Sequence, residues 1–505
     1  MIKAKHRLFI CVMILVLGLS ALGSDAYARP KYVFFFLGDG MANVQMQATE
    51  AYVAVENGGS PDNPGDLLAA KLNMSTFPVQ GMATTFADGR FITGSAAAAT
   101  AFASGAKTSI GTIGMSSDHS VKYASVADFA ARRGMKVGII SSVSIDHATP
   151  AGYYANVTYR GRYNEVAYQL ANSGYSFFGG GGIKKPTGDS YTSYDVYAEL
   201  AANGYTVLNS SSDILALNSA PQDKVVCINS WLQNSGAMPY EMDHDYSGSG
   251  DLTLAQITEV AVNCLKDNRR GFFLMVEGGK IDWACHANDA KAAISDTIAF
   301  DNAIGVALDF YRKHPHQTLI VVTGDHECGG MTCGFSSTGY ASAYEVLQNQ
   351  KVSFQYFDDN IWSAYKAANS PGFDPALDDI SNEADGEFKG LMSTYFGLVY
   401  DDLDAYMKER LEDAYDKSMA GVSGNTPEED AQLYWGYEPI TVTLTHVLNE
   451  IAGIGWTSYS HTGVPVPVLA LGRGARRFGG FYDNTDIAKK LAKALWYFKP
   501  LPVTE

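Results

Sequence analysis

Along the chain, short and almost wholly apolar runs alternate with longer stretches whose apolar residues recur at helical spacing. The runs YVFFFLGD (32–39), KVGIISSV (136–143), FFLMVEGG (272–279) and TLIVVTGDH (318–326) have strand length and read as strands buried on both faces. A helical stretch with Ala and Met follows the first and continues through Val55. The Ala-rich SVADFAARRG precedes the second, and ANDAKAAISDTIAFDNAIGVALDFYRKH separates the third from the fourth. This alternation predicts an α/β fold, a mainly parallel central sheet with helices on both faces. PVPVLALGRG (465–474) predicts one further, late strand.

The pattern changes between about 334 and 440, where Tyr, Phe, Trp, Asp and Glu dominate, as in FQYFDDNIWSAYKAANSPGFDPALDD. LDAYMKERLEDAYDK reads as a charged helix and GVSGNTPEEDAQ as a loop. The region reads as an insertion on the sheet, placed over an active site or at a subunit contact, with plain solvated surface as the alternative.

Composition bounds the function. The 505 residues are 46% hydrophobic, enough for one large α/β domain. The net charge is −17, and no basic face suited to nucleic acid is indicated. Lys3, Lys5 and Arg7 precede the apolar run LFICVMILVLGL, and Ala26-Tyr27-Ala28 is a small-x-small cleavage site. Residues 1–28 therefore read as a signal peptide rather than a stable membrane anchor, with export to the periplasm or outside the cell and a domain over 29–505. Five cysteines remain in the mature chain, 227, 264, 285, 328 and 333; the odd count leaves at least one thiol free.

Candidate chemistry sits just past the strand-like runs, where an open α/β sheet places its active site. Asp39 follows the first run. Glu277, Asp282 and His286 lie in VEGGKIDWACH, and Asp325 and His326 end the fourth run. Oxygen and imidazole donors so arranged suit a divalent transition metal. Cys285, between Asp282 and His286, is read as a small buried residue because Asp and His already supply donors. Ser95 opens the Ala-rich helix of TGSAAAATAFASGAKTSIGT. It is either an ordinary N-cap or a nucleophile, since a helix N-terminus favours phosphate and a developing alkoxide. In IDHATPAGYYANVTYRGR, His147 and Thr149 alternate with Ala148 and would face one side of an extended segment. Arg160 or Arg162 would supply a planar fork to a phosphate or sulfate.

Together these pieces resemble the alkaline phosphatase family. LGDGM, GSAAAATA, HATPA, FFGGGGIKKP, VEG-x-x-IDW-x-x-H, TGDHE and SHTGVPVP stand in the family's order between about 31 and 475. The resemblance implies an alkaline phosphatase-like three-layer sandwich. It also implies two zinc ions, one on Asp282, His286 and His461 and one on Asp39, Asp325 and His326 close to Ser95. A third ion, magnesium, would take Asp39, Thr149 and Glu277. The donor chemistry agrees independently: imidazoles at the first two sites suit zinc, and the all-oxygen third suits magnesium. Arg160 falls at the family's phosphate-binding arginine, and His147 is counted with it on the substrate-binding side, holding the third ion's water or serving as a ligand. Trp283 stands where some members carry Lys or His. Gly94 stands where many have the Asp that orients the arginine, so Arg160 is expected to be looser here, or to share its task with Arg162.

The expected reaction is hydrolysis of phosphate monoesters through a phosphoserine on Ser95, with an alkaline optimum, broad specificity unless the aromatic insertion narrows access, and a homodimeric state by resemblance. The competing readings are a phosphodiesterase or sulfatase of the same superfamily and a non-catalytic exported metal- or phosphate-binding protein. Thr149 and Glu277 together with Ser95 favour the monoesterase over the diesterase, the absence of C-x-P-x-R disfavours a sulfatase, and a binding protein has no use for Ser95.

Overall fold

The computed structural model describes residues 29–246, 248, 250–382 and 386–504. The expected signal peptide, 1–28, lies outside these residues.

A 10-stranded sheet organises the chain. Its strands are β1 (Tyr32–Gly38), β2 (Val79–Ala83), β3 (Lys136–Ser141), β4 (Phe177–Gly180), β5 (Thr206–Leu208), β6 (Val225–Ile228), β7 (Phe272–Gly278), β8 (Thr318–Gly324), β9 (Val466–Gly472) and β10 (Gly480–Tyr482). They lie side by side in the order β10-β2-β9-β8-β1-β7-β3-β4-β6-β5. β9 runs antiparallel to β2 and β8, and the other pairs are parallel. The fold class is therefore a mixed, mostly parallel sheet wrapped by helices.

β1 shows why these residues form a central strand. Val33, Phe35 and Leu37 enter one apolar cluster with Phe102 of α2 (Ser95–Ser104), numbered after α1 (Asn43–Glu56). Tyr32, Phe34 and Phe36 enter another on the opposite face. That second cluster includes Phe300 and Ile304 of α4 (Ala290–Lys313), which follows α3 (Lys280–His286). The strand's period of two thus divides a continuous apolar run between two helical layers. Phe34, Phe35 and Phe36 are fully buried, each contributing roughly 1.5–3 kcal/mol of transfer free energy.

The parallel register brings the chemistry to one edge. Leu37 pairs with Glu277 and Thr323, Gly38 with Gly278 and Gly324, and Ser141 with Glu277. The residues that leave the ends of β1, β3, β7 and β8 must therefore meet. Glycine lets the neighbouring strand β4 close against the end of β3. Gly180 has φ +119°, and a Cβ there would lie 1.8 Å from the Ser141 carbonyl oxygen. The FFGG part of FFGGGGIKKP is accordingly β4, pressed against β3.

Residues 344–459 build a third apolar cluster in which Trp362 stacks on Tyr365 and meets Phe388 edge-on, and Phe388 packs against Tyr415. It packs on Ala48 and Tyr52 of α1 and Ile294 of α4. Within it, the second half of the expected loop GVSGNTPEEDAQ opens a helix, Pro427–Tyr434. Thr426 caps it, Glu429 returns the capping bond, and Pro427 opens its first turn.

Candidate metal centre and nucleophile

At the end of β7, α3 carries Asp282 and His286 one turn apart on the same face. His286 Nδ1 donates to the Tyr459 carbonyl at 2.6 Å, and His461 Nδ1 donates to the Thr93 carbonyl at 2.9 Å. In the neutral rings that a cation would require, each bond leaves Nε2 as a lone pair, and the two Nε2 atoms face one another at 3.1 Å. Asp282 lies 3.3 Å from the first and 3.5 Å from the second. Two lone pairs and a carboxylate converge on a point that calls for a cation.

A second set gathers around His326, which is fully buried. Its Nε2 is 3.4 Å from Asp39 Oδ1 and 3.2 Å from Asp325 Oδ2. The other oxygen of Asp325 is fixed by the backbone N–H groups of Gly40 at 3.1 Å and His326 at 2.9 Å. Asp39, Asp282 and His326 offer donor atoms within 4.8 Å of one another, so Asp282 connects the two sets.

A third group is all oxygen. Thr149 donates to Asp39 Oδ2 at 3.4 Å, and the Ser141 hydroxyl donates to Glu277 Oε2. The remaining oxygens, Asp39 Oδ1, Glu277 Oε1, Asp282 Oδ1 and Asp325 Oδ2, are buried with no hydrogen-bond partner among the described residues. Orphaned carboxylate oxygens at such density are what a set of cations would satisfy.

The electrostatics agree. Burial, then Asp325 and Asp282, holds the Asp39 carboxyl well above its ordinary range. Burial pushes Glu277 up to about 8 and Asp325 up to about 7. Burial would raise Asp282 as well, but His286 and His461 hold it well below the usual range. The protein alone does not neutralise this charge.

Ser95 is the first residue of α2, behind the extended Gly94, and is buried. It is not an N-cap: that position belongs to Gly94, and no side-chain cap bond forms. The Thr93 carbonyl that receives His461 ties the start of α2 to the first donor set. The segment 147–151 differs from the extended reading. His147 caps a short helical turn, Ala148–Ala151, whose first turn tolerates Pro150. Arg160 meets His147 Nε2 at 3.1 Å. Burial, then Arg160, keeps that imidazole well below its ordinary pKa, hence a neutral acceptor. Arg162 instead pairs with Glu165 and lies 4.7 Å over the Tyr191 ring.

The alkaline phosphatase family model matches residues 30–497. The chain belongs to the alkaline phosphatase family. Alkaline phosphatase 4 of Bacillus subtilis is 28% identical over 93% of this chain and 89% of its own length. The cold-active alkaline phosphatase of the psychrophile Shewanella sp. superposes with a TM-score of 0.71 at 26% identity, over 93% of this chain and 100% of that one. A variant of the alkaline phosphatase from the bacterium TAB5, solved with magnesium in its M3 site, is 25% identical with a TM-score of 0.60, over 94% and 100% of the two chains. This chain is thus an alkaline phosphatase, of a metal-dependent family.

Sequence reasoning missed Cys328, whose sulfur lies within 4.8 Å of the donors of Asp282, His286 and His461. It also missed Glu327, which accepts from Gln45, from the backbone of Gly330 and Met331, and from Thr462. These bonds brace the segment that carries His461 against the one that carries His326. All five described cysteines are free of disulfides. No described helix is long and apolar enough to cross a membrane.

Proposed function

We propose that the chain hydrolyses phosphate monoesters through a covalent phosphoserine at Ser95. In this reading Asp282, His286 and His461 hold one zinc, Asp39, Asp325 and His326 hold a second, and Asp39, Thr149 and Glu277 hold magnesium. The facing lone pairs of His286 and His461, 3.1 Å apart beside Asp282, carry the proposal. When bound, such ions lower the pKa of a serine hydroxyl, neutralise phosphate charge and stabilise a leaving oxygen. Everything else is work for the chain. The N-terminus of α2 presents Ser95 to the phosphorus and offers positive dipole to its oxygens. Arg160, held by the neutral His147, provides paired N–H groups for two phosphate oxygens. Attack from Ser95 expels the alcohol on the side of His286, and water then releases inorganic phosphate from the serine. An alkaline optimum follows from the need to deprotonate the serine. Export and a homodimer, both implied by the family resemblance, belong to the same proposal.

The test is turnover of an aryl phosphate by the zinc- and magnesium-loaded protein. Activity should vanish on chelation and fall by about a thousandfold or more in Ser95→Ala. An inactive metal-loaded protein, or an unaffected Ser95→Ala, would refute the reading.

A further inference from the structure

Beside His286 the molecule opens into a cavity of about 420 Å³. Its walls are aromatic: Trp283 from α3, Tyr240, and Phe354 and Tyr437 from the acidic, aromatic region. Phe354 meets Tyr240 and Tyr437 edge-on, with ring centroids 5.7 and 5.8 Å away. Asp358, Asp359 and Glu438 also line it. Tyr240 is fully buried, and its hydroxyl has no partner among the described residues.

The charge at the cavity is unbalanced. Glu438 has Lys366 at 3.6 Å, while Asp359 receives only long bonds, 3.4 Å from Asn234 and 3.5 Å from Gln355. Burial, then Glu438 and Asp359, pushes the Asp358 carboxyl up to about 6. One buried cation already uses these aromatic walls. Lys280 Nζ lies 3.5 Å over the Tyr240 ring and 5.3 Å from that of Trp283. That charge is opposed first by buried Asp296 and Asp243 and then by Asp359, while the lining carboxylates Asp358 and Glu438 share Lys366 and leave negative charge for a ligand.

Aromatic faces and carboxylates around an open space bind organic ammonium groups. We propose that this cavity is a leaving-group subsite selecting phosphate monoesters of short amino alcohols, with a primary or quaternary ammonium on the alcohol. The inference rests on the monoesterase reading, which puts the departing oxygen beside His286, one turn along α3 from Trp283. In the transfer, the bond between Ser95 Oγ and phosphorus forms as the bond from phosphorus to the ester oxygen breaks. The serine proton passes to solvent. The departing oxygen takes a proton from water, and the alcohol leaves with its ammonium unchanged. Water then cleaves the phosphoserine and restores the serine hydroxyl. The preference is graded and lies on top of a broad range, because the cavity touches the alcohol and not the phosphoryl group.

The test compares kcat/KM of the metal-loaded full chain on choline phosphate and on its uncharged isostere, 3,3-dimethylbutyl phosphate. A preference of about tenfold or more for choline phosphate is expected. It should shrink toward unity in the Asp358→Asn/Asp359→Asn double variant and, independently, in Glu438→Gln. Equal turnover of the two esters by the native protein overturns the subsite and leaves the monoesterase reading intact. A preference that survives both carboxamide variants also overturns it. Failure to hydrolyse either ester or an aryl phosphate overturns both proposals together.

Discussion

Arg160 reaches His147 with one guanidinium nitrogen 3.1 Å from Nε2 of the imidazole. Many related enzymes are expected to hold this arginine with a carboxylate preceding the nucleophile, but here that position is Gly94. A Cβ on Gly94 would meet only Ile110 Cγ2, at 3.8 Å, so the glycine is not required for space. In the proposed mechanism His147 orients Arg160, while Arg162 is turned to Glu165 and Tyr191.

His147→Ala should therefore leave a folded, metal-binding enzyme with a looser Arg160. A hydrogen bond to a charged group contributes about 1.5–3 kcal/mol, so KM for an aryl phosphate should rise by roughly tenfold or more. Arg162→Ala should change KM by less than about twofold. Equal effects from the two variants would contradict the assignment.

Metal removal should act on stability as well as on activity. Without cations, Asp39, Asp325 and Glu277 bury carboxyls that resist ionisation, each with one oxygen that has no hydrogen-bond partner among the described residues. Chelation should lower the melting temperature by several degrees, reversibly on adding zinc. The same comparison in His286→Ala/His461→Ala should show a smaller response, because one donor set is gone. An identical melting temperature with and without metal would argue against ions at this site.

The sheet was legible because its central strands are continuous apolar runs divided between two layers, as in β1, β7 and β8. Short strands such as β5 and β10 escaped notice; each has three residues and lacks a run long enough to show a period. Some candidate donors stood out in the sequence because Asp39, Asp325 and His326 directly follow buried strands, whereas His461 was reached only through the family resemblance. The partners of His286 and His461 were not legible: the Tyr459 and Thr93 carbonyls that set the histidine tautomers are backbone atoms and leave no trace in residue identity. The helix Pro427–Tyr434 was a misreading of available chemistry, since Thr-Pro-Glu-Glu is a capping box with proline at its first turn. His147 and Thr149 were placed on an extended segment because alternation was read over too few residues; the backbone instead turns after His147.

Gly180 offers a test of how β3 and β4 support the site. A side chain there would collide with the Ser141 carbonyl, at 1.8 Å from Cβ, in a backbone conformation foreign to other residues. Ser141 in turn holds Glu277. Gly180→Ala should cost about 3 kcal/mol or more in denaturant melts and weaken magnesium retention. A loss within about 0.5 kcal/mol would show that the two strands adapt freely.

Away from the metals, His244 provides a pH-dependent contribution to stability. Burial opposes its charge, but Asp251 at 2.6 Å and Glu241 at 3.3 Å raise the imidazole from 6.5 to about 10. A raised pKa means that the folded state holds the proton longer than the unfolded chain does. The stabilisation is complete below pH 6.5 and is lost as pH rises through about 10. His244→Gln should cost about 2 kcal/mol at acidic to neutral pH, with the gap to the native protein closing in alkaline melts. A gap independent of pH would show that the charge is not responsible.

The central claim is that Ser95 carries the phosphoryl group. The most direct measurement is mass spectrometry of the zinc- and magnesium-loaded protein, quenched in acid during turnover of a phosphate monoester and digested. A single added phosphoryl group on the peptide containing Ser95, absent after chelation and absent in Ser95→Ala, is the predicted result. A turning-over enzyme with no phosphoryl group on that peptide, or with one on another residue, would contradict the account.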